Sequence, residues 1–252
     1  MNHVYVLKKR TNYGFVFKLF VMRGNKKEME LSLFELSKHL GVEQNTVERW
    51  IRQGKLPVSQ KGAVYRFPSR DLKKWAAKHN ISLNLEKQGL PERETDPFVS
   101  LSKAVQNGGL YFDIPGDDVK SVLFASLERI SNIPDDFKTD LLNRLIEREK
   151  ALSTGIGNGI AIPHPRVPLG YLNDPLVVIC FLETPVDYQA MDQQPVGVLF
   201  LILCPDLKFH LHLLSTLSFC LRDKSFTQFL KSRPDPKALM KKIEALQTLN
   251  TF

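Results

Sequence analysis

The chain has 252 residues, more than one domain of ordinary size requires, so we expect one small and one medium domain. Apolar residues make up 43% and charged residues 25%, which is typical of soluble globular proteins and excludes the disordered and collagen-like classes. The longest apolar runs, Pro175–Leu182 and Val196–Leu203, are far shorter than the roughly 18 to 20 residues that span a bilayer. We therefore predict buried strands there and no membrane insertion.

Positive charge is concentrated in the first part of the chain. Residues 1–94 carry 19 Lys and Arg against 9 Asp and Glu, a net charge of +10, whereas the remaining residues carry 16 against 18, a net charge of −2. Lysine and arginine that neutralise phosphates release counterions from nucleic acid. A polyanionic partner is therefore expected for the first part alone, with a solvated basic face as the alternative.

The cysteine pattern points to a reducing environment. Cys180, Cys204 and Cys220 are widely spaced, form no CxxC pair and have apolar neighbours. This pattern supports neither a disulfide framework nor a zinc site. We expect reduced core thiols, a cytoplasmic location, no bound metal and no cofactor.

Composition also suggests where the domains begin and end. The first thirty residues are an N-terminal extension of unknown role, either a strand pair packed on the next domain or residues upstream of a true start at Met22 or Met29. Residues 84–97 mix charges with Gly89 and prolines and have no apolar period, which predicts a linker. The predicted parts are the extension (1–30), a small domain (31–83), the linker (84–97) and a second domain (98–252).

Two short helices joined by a tight turn are predicted at the start of the small domain. The first begins at a capping box formed by Ser32 and Glu35 and stops at Gly41. The second has its apolar residues, Trp50 among them, on one side, and Gly54 ends it. The opposite side carries side chains able to reach base edges or phosphates in a major groove, namely Asn45, Glu48, Arg49 and Arg52.

A hairpin wing is predicted after these helices. Gly62 separates two short extended stretches, and Ser69 is expected to cap a further helix. Together, TVERWIRQGKLP and YRFPSRDLKKW resemble the winged helix-turn-helix of the excisionase and MerR-like DNA-binding families, which implies DNA binding and, as is common for such domains, a homodimer. Such domains also serve as protein–protein modules. The resemblance makes Asn45, Arg49 and Arg52 candidates for base contacts and Lys55, Lys61 and Arg66 candidates for phosphate contacts.

In the second domain, a glycine-rich segment ends at a histidine. The conformationally free positions are Gly155, Gly157, Asn158 and Gly159. They permit positive φ, so consecutive N–H groups can form an anion-binding concavity, although the spacing fits neither a Walker A loop nor a dinucleotide-binding loop. His164 is a candidate nucleophile, because a neutral imidazole near pH 7 can take up a phosphoryl group. Arg148 or Arg166 can supply positive charge; the alternative is a histidine with an ordinary hydrogen-bonding role.

A second histidine lies in the predicted helix FHLHLLSTLSFCL. His210 shares a stripe with Leu214, Leu217 and Leu221, whereas His212 is rotated from it by roughly 200°. The two histidines therefore cannot ligate one metal as an i, i+4 pair can. We predict that His210 faces an active centre, with a satisfied core histidine as the alternative.

Three blocks of the second domain, STGIGNGIAIPH, LETPVDYQAMDQQPVGVLFLILCP and HLHLLSTLS, occur in order. Together they resemble enzyme IIA of the bacterial phosphotransferase system, of the mannitol/fructose and nitrogen-regulatory type, over roughly residues 98–246. The resemblance implies an α/β fold with a mixed sheet flanked by helices. It also implies that His164 accepts phosphate from an HPr-type phosphocarrier, that Arg148 stabilises the phosphoryl group and that His210 lies beside the acceptor. Two features depart from the pattern: Pro165 replaces a small residue such as glycine, and the stretch before His210 is shorter than usual.

The combination predicts a DNA-binding regulator in which phosphorylation of His164 changes DNA binding or oligomerisation. It would be a phosphotransferase-system component that acts through phosphohistidine rather than a stand-alone metabolic enzyme. One alternative is a sugar-transport IIA phosphocarrier that hands phosphate to a permease component. Another is a docking module that signals to regulated protein targets without binding DNA.

Overall fold

The structure, a computed structural model, describes residues 4–11, 14–21, 30–61, 64–79, 81, 83, 99–131 and 133–248. The predicted linker, residues 84–97, lies outside these ranges. Within them, no helix is long and apolar enough to cross a membrane.

The N-terminal extension contains a β-hairpin. Strands β1 (Val4–Thr11) and β2 (Gly14–Val21) pair antiparallel, with the first residue of β1 opposite the last residue of β2. They form a two-stranded sheet of their own. The segment therefore contains a strand pair, whereas its packing on the next domain stays a prediction.

The described residues of the small domain, 30–61 and 64–78, form three helices and a small antiparallel sheet. The elements are β3 (Glu30–Leu31), α1 (Leu33–Leu40), α2 (Gln44–Arg52), β4 (Ser59–Lys61), β5 (Val64–Pro68) and α3 (Ser69–Lys78). The strand order is β3-β5-β4, so β4 and β5 form the predicted wing. This is the arrangement of a winged helix-turn-helix.

The local signals account for where these helices begin and end. The Glu35 N–H donates to the Ser32 hydroxyl at 3.2 Å, and the Ser32 N–H donates to the Glu35 carboxylate at 2.7 Å, which completes the predicted capping box. Gly41 and Gly54 have φ of 62° and 67°, the left-handed conformation in which helices commonly end. The prediction that Ser69 caps α3 is wrong, because the helix already begins at Ser69 and no side chain caps it.

The second domain is built on one five-stranded sheet. Its elements are α4 (Leu101–Gly108), β6 (Leu110–Ile114), α5 (Val119–Glu128), α6 (Asp135–Ala151), β7 (Gly155–Gly157), β8 (Ile160–Ala161), β9 (Leu176–Val186), β10 (Val196–Leu203), α7 (Leu207–Leu221), α8 (Lys224–Lys231) and α9 (Pro236–Thr248). The strand order is β6-β9-β10-β8-β7. Strands β6 and β9 are parallel, as are β10 and β8, while β9 with β10 and β7 with β8 are antiparallel. The predicted mixed sheet is confirmed.

Helices cover both faces of this sheet. Along β10, Leu199, Leu201 and Leu203 belong to the buried cluster that includes α5, α6 and the helix-turn-helix, whereas Phe200 and Ile202 belong to the one that includes α4, α7, α8 and α9. A strand covered on both faces is apolar at nearly every position, which explains the continuous apolar runs in the sequence. The helix-turn-helix therefore shares a core with the second domain instead of standing apart from it.

Candidate functional site

His164 and His210 come together at the carboxyl ends of two neighbouring parallel strands. His164 follows β8, and its segment is attached to β10 by the Ile202 N–H, which donates to the Pro163 carbonyl oxygen at 3.0 Å. His210 lies near the start of α7, which follows β10 directly. The two ring centroids are 5.1 Å apart and the ring planes are inclined by 45°. His210 therefore stands beside the candidate acceptor, as the resemblance to enzyme IIA implies.

Arg148 reaches His164 from the last turn of α6. Its Nε donates to His164 Nε2 at 3.3 Å, and its Nη1 donates to the Leu152 carbonyl oxygen at 2.5 Å. His164 Nδ1 lies 2.8 Å from the Ile162 carbonyl oxygen. Because a carbonyl oxygen can only accept, Nδ1 carries the ring proton. Nε2 therefore holds the free lone pair and faces the guanidinium group. The other candidate arginine, Arg166, is exposed.

Partial burial lowers the pKa of both histidines. For His164, burial is the main cause, the hydrogen bond to Ile162 opposes it, and the charge of Arg148 lowers the pKa further. For His210, burial, the neighbouring His164 and Arg148 all lower the pKa. Both rings are therefore neutral at neutral pH, the form in which an imidazole nitrogen is nucleophilic.

Glu149, which the sequence analysis did not single out, holds the turn that follows α6. Its carboxylate accepts hydrogen bonds from the backbone N–H of Thr154 at 2.7 Å, from the Thr154 hydroxyl and, at 3.5 Å, from the Tyr188 hydroxyl. Burial raises the pKa of Glu149, although these donors oppose the rise. Because Arg148 is the preceding residue, this network also fixes the turn from which Arg148 reaches His164. The only signal in the sequence was a carboxylate five positions before a threonine.

The glycine-rich segment forms the tight β7–β8 hairpin. The φ angles are 93° for Gly157, 55° for Asn158 and 77° for Gly159, so positive φ is confirmed at these three predicted positions. It is wrong for Gly155, which lies in strand β7 with ordinary φ. The predicted anion-binding concavity requires a correction at Asn158, whose N–H already donates to the Asp192 carboxylate at 2.8 Å. A Cβ on Gly157 would lie 3.0 Å from the same carboxylate, and a Cβ on Gly155 would lie 2.8 Å from that of Ala190. Close packing accounts for both of these glycines.

Exposed apolar side chains lie on the segments that carry or adjoin the histidines and Arg148. Leu152, whose carbonyl oxygen accepts the Arg148 bond, is 72% exposed, and Leu211, next to His210, is 56% exposed. The set comprises Leu152, Ile156, Val167, Met191, Leu207 and Leu211, and we call it the apolar rim. Grouped exposed apolar residues commonly mark a protein interaction site. The sequence did not reveal the rim, because an apolar residue beside a buried run is indistinguishable from core.

The candidate base-contacting residues lie on the outer side of α2. Asn45 and Arg52 are exposed and Arg49 is half-buried, while Trp50 on the other side is 2% exposed and is core, as predicted. A long ion pair of 3.9 Å joins Arg52 to Glu48. On the side of α2 that the sequence assigned to DNA, two of the three candidate base-contacting residues are therefore open to solvent.

The candidate phosphate-contacting residues are distributed more widely. Lys55 follows α2 and forms an ion pair with Asp136 of α6. Arg66 is half-buried on β5. Lys61 ends β4, and its side chain lies outside the described part of the chain.

Comparisons with known proteins agree with this division of the chain. Residues 127–245 match the family described as phosphoenolpyruvate-dependent sugar phosphotransferase system, EIIA 2, and residues 30–80 match a helix-turn-helix domain family. A nitrogen regulatory protein of Pseudomonas aeruginosa is 34% identical over 149 residues, which cover 56% of this chain and 93% of that protein. Another, from Escherichia coli K12, is 42% identical over 97 residues, which cover 38% of this chain and 59% of that protein.

Among solved structures, the nitrogen regulatory protein IIA-Ntr of Neisseria meningitidis matches with a TM-score of 0.47 and 25% identity, covering 53% of this chain and 92% of that one. The identity to the Pseudomonas protein extends over nearly the whole of that relative. The helix-turn-helix match lies on the N-terminal side of this region. The chain therefore belongs to the phosphotransferase-system EIIA type 2 family, with nitrogen regulatory proteins as its relatives and a helix-turn-helix domain joined to its N-terminal side.

Proposed function

We propose that this chain is a DNA-binding regulator whose EIIA domain, the part built on the five-stranded sheet, accepts a phosphoryl group on Nε2 of His164 from an HPr-type phosphocarrier. The observation that supports this most is that His164 Nε2 is unprotonated and faces Arg148. Nδ1 is occupied by its bond to the Ile162 carbonyl, so the lone pair belongs to Nε2, which faces Arg148 and lies beside His210.

In the proposed step, the Nε2 lone pair of His164 attacks the phosphorus atom of the carrier's phosphohistidine. A P–N bond forms to Nε2 while the carrier's P–N bond breaks, and that electron pair returns to the carrier's imidazole. The Nδ1 proton stays on its bond to Ile162. The guanidinium of Arg148 stabilises the charge on the transferred oxygens, which is the main contribution a protein makes to phosphoryl transfer. Neutral His210 can donate one N–H to the same oxygens.

The apolar rim suits the docking of a carrier protein around the acceptor. Leu211 is next to His210 in the sequence and the Leu152 carbonyl accepts the Arg148 bond, so a partner that covers these two residues also excludes water from the transferred group. This arrangement supports a protein as the phosphoryl donor. A small-molecule donor would not need an exposed apolar surround.

Phosphorylation can be tested directly by mass. The purified chain is incubated with phosphoenolpyruvate, enzyme I and an HPr-type carrier, and its intact mass is measured. We expect a gain of one acid-labile phosphate that is absent from His164→Ala and present in His212→Ala. His212→Ala is the control for the loss of another histidine of the same domain. His212 lies on α7, as His210 does, but is rotated from it by roughly 200°. No gain with the cognate carrier contradicts the proposal.

DNA binding is proposed from the charge and from the open side of α2. The net charge of +10 on residues 1–94 favours a polyanion, and Asn45 and Arg52 are available to contact it. We expect the affinity for a mixed-sequence duplex, measured by fluorescence anisotropy, to fall steeply with salt and to be weakened by Arg52→Ala. Lys241→Ala is the matched control, because Lys241 is exposed on α9, across the sheet from the helix-turn-helix. Equal losses of DNA affinity in the two variants contradict a role for α2 in DNA binding.

The contact between α2 and the EIIA domain favours a second candidate, a docking module without DNA binding. Part of α2 is already engaged with protein, since the Thr46 hydroxyl donates to Asp140 at 2.8 Å. A pull-down of regulated protein targets that survives nuclease and high salt supports this candidate. Loss of the partners after nuclease treatment supports DNA binding.

A further inference from the structure

We propose that phosphorylation of His164 weakens the contact between the helix-turn-helix and the EIIA domain, because the two segments that dock the helix-turn-helix also hold the phosphoacceptor. The inference rests on the proposed modification of His164 and adds the route by which it reaches the DNA-binding domain. The two docking segments are helix α6 and the loop of residues 165–171.

Helix α6 receives α2 through a buried polar contact. The Thr46 hydroxyl donates to Oδ1 of Asp140 at 2.8 Å, and these residues are 6% exposed. On the other side of the carboxylate, Arg144 Nε lies 2.7 Å from Oδ2 in an ion pair within α6, but without the geometry of a hydrogen bond, so Oδ2 has no hydrogen-bond donor among the described residues. A buried carboxylate is stable only when its oxygens have partners. Thr46 therefore supplies, from the helix-turn-helix, one of the partners that Asp140 needs.

Aromatic packing continues the same interface. The Trp50 ring of α2 lies 4.5 Å from that of Phe137 on α6, and Phe137 lies 4.3 Å from Tyr171, with both pairs tilted. The three side chains are at most 2% exposed. The tilted Trp50–Phe137 pair lies at the short end of the centroid distances at which aromatic rings attract each other. Trp50 is thus in direct contact with the EIIA domain.

The loop that begins at the phosphoacceptor contacts the turn between α1 and α2. A Cβ on Gly41 would lie 3.0 Å from the Gly170 backbone nitrogen and 3.1 Å from the Pro168 carbonyl oxygen. A Cβ on Gly170 would lie 3.1 Å from the His39 carbonyl oxygen. The two backbones therefore touch without intervening side chains, and a displacement of either one is felt by the other.

Both segments lead to the same imidazole. On α6, Arg148, which donates to His164 Nε2, lies eight residues beyond Asp140, or about 12 Å along the helix. In the loop, Pro168 lies four residues after His164. The helix-turn-helix thus contacts two segments, helix α6 and the loop after His164, that both lead within a few residues to the phosphoacceptor.

Phosphorylation changes both segments where they meet the phosphoacceptor, at Arg148 and at His164. The bond from Arg148 Nε to Nε2 is lost, because Nε2 becomes bonded to phosphorus, and the guanidinium must turn toward the phosphoryl oxygens. The new negative charge also lies at the C-terminal end of α6, where the helix dipole disfavours anions. We expect α6 and the loop to shift, and Trp50 to lose part of its cover.

Trp50 fluorescence tests this without DNA and without a carrier. Trp75→Phe leaves Trp50 as the sole tryptophan, and it removes an indole N–H that has no hydrogen-bond partner in the part of the chain that the structure describes. The protein is treated with phosphoramidate: the phosphoramidate P–N bond breaks, ammonia leaves, and a P–N bond forms to Nε2. Phosphate is counted by intact mass, and Trp50 is followed by its emission maximum and by acrylamide quenching.

We expect the chain with one phosphate to show a red-shifted Trp50 emission and stronger quenching, and His164→Ala to show neither change. One phosphate on His164 with unchanged emission and quenching overturns the inference. If phosphoramidate produces the change but the HPr-type carrier transfers nothing, the proposed function fails and the inference stands. If His164 accepts no phosphate even from phosphoramidate, both fail.

Discussion

Removing the Thr46 hydroxyl should destabilise the chain more than removing an equally buried hydroxyl elsewhere. Thr46→Val keeps the shape and the β-branched backbone preference of the side chain but deletes the donor to Asp140. A hydrogen bond to a charged group contributes about 1.5–3 kcal/mol, against about 0.5–1.5 kcal/mol for a neutral pair. Arg144 remains beside the carboxylate, so the mutation does not leave an isolated buried charge, which would cost more. We therefore expect the free energy of unfolding to fall by about 2 kcal/mol.

The matched control is Thr216→Val. Thr216 is 5% exposed, against 6% for Thr46, and its hydroxyl donates to the neutral carbonyl oxygen of His212 at 3.0 Å within α7. We expect Thr216→Val to lower the free energy of unfolding by about 1 kcal/mol. The free energy of unfolding is measured in urea by circular dichroism and by tryptophan fluorescence, with the slope checked to be unchanged. If Thr46→Val loses no more than Thr216→Val, the contact between Thr46 and Asp140 does not stabilise the docked arrangement.

Four further predictions concern the site and the DNA-binding side. Because burial lowers the pKa of His164, the neutral ring persists as the pH falls through 6.5, and the initial rate of phosphate uptake should decline only below that pH; a half-maximal rate at 6.5 contradicts this. Arg148→Ala should slow transfer about 10²- to 10³-fold in single-turnover assays, whereas Arg166→Ala, at an exposed position, should change it little. Gly155→Ala should lower the melting temperature, because its Cβ would lie 2.8 Å from that of Ala190; an unchanged melting temperature refutes the packing argument. Arg49→Ala should weaken DNA binding by about 1–3 kcal/mol in gel shifts if it contacts a base, and unchanged binding removes it from that role.

Much of the fold could be predicted because its signals are local. The capping box of Ser32 and Glu35 involves atoms three residues apart, and the helix-ending conformation of Gly41 depends on the absence of its own Cβ. That His210 and His212 face different ways needed only the helical repeat, whereas the choice of His210 rested on the stripe it shares with Leu214, Leu217 and Leu221. The failure at Ser69 is also local, since the helix begins one residue earlier than the cap prediction required.

The sequence named candidate residues for the site but not their geometry. That His164 and Arg148 belong together followed from the resemblance to enzyme IIA, whereas the proton on Nδ1 depends on where the Ile162 carbonyl lies after folding. The concavity expected at Asn158 failed there because Asp192, 34 positions later, takes its N–H. A free N–H and an occupied one look the same in a sequence.

Charge and motifs are enough to divide the chain into a basic helix-turn-helix and an EIIA domain and to name candidate residues for the chemistry. How the two parts are joined depends on the folded chain. Thr46 and Asp140 are 94 positions apart, and Trp50 meets Phe137 across the same boundary. The spacing of residues within α2 does not encode such contacts. A buried threonine or tryptophan fits the helical periodicity of α2 equally well whichever part of the protein packs against it. The partner is chosen only when the helices pack on the sheet and a carboxylate and an aromatic ring are left facing α2.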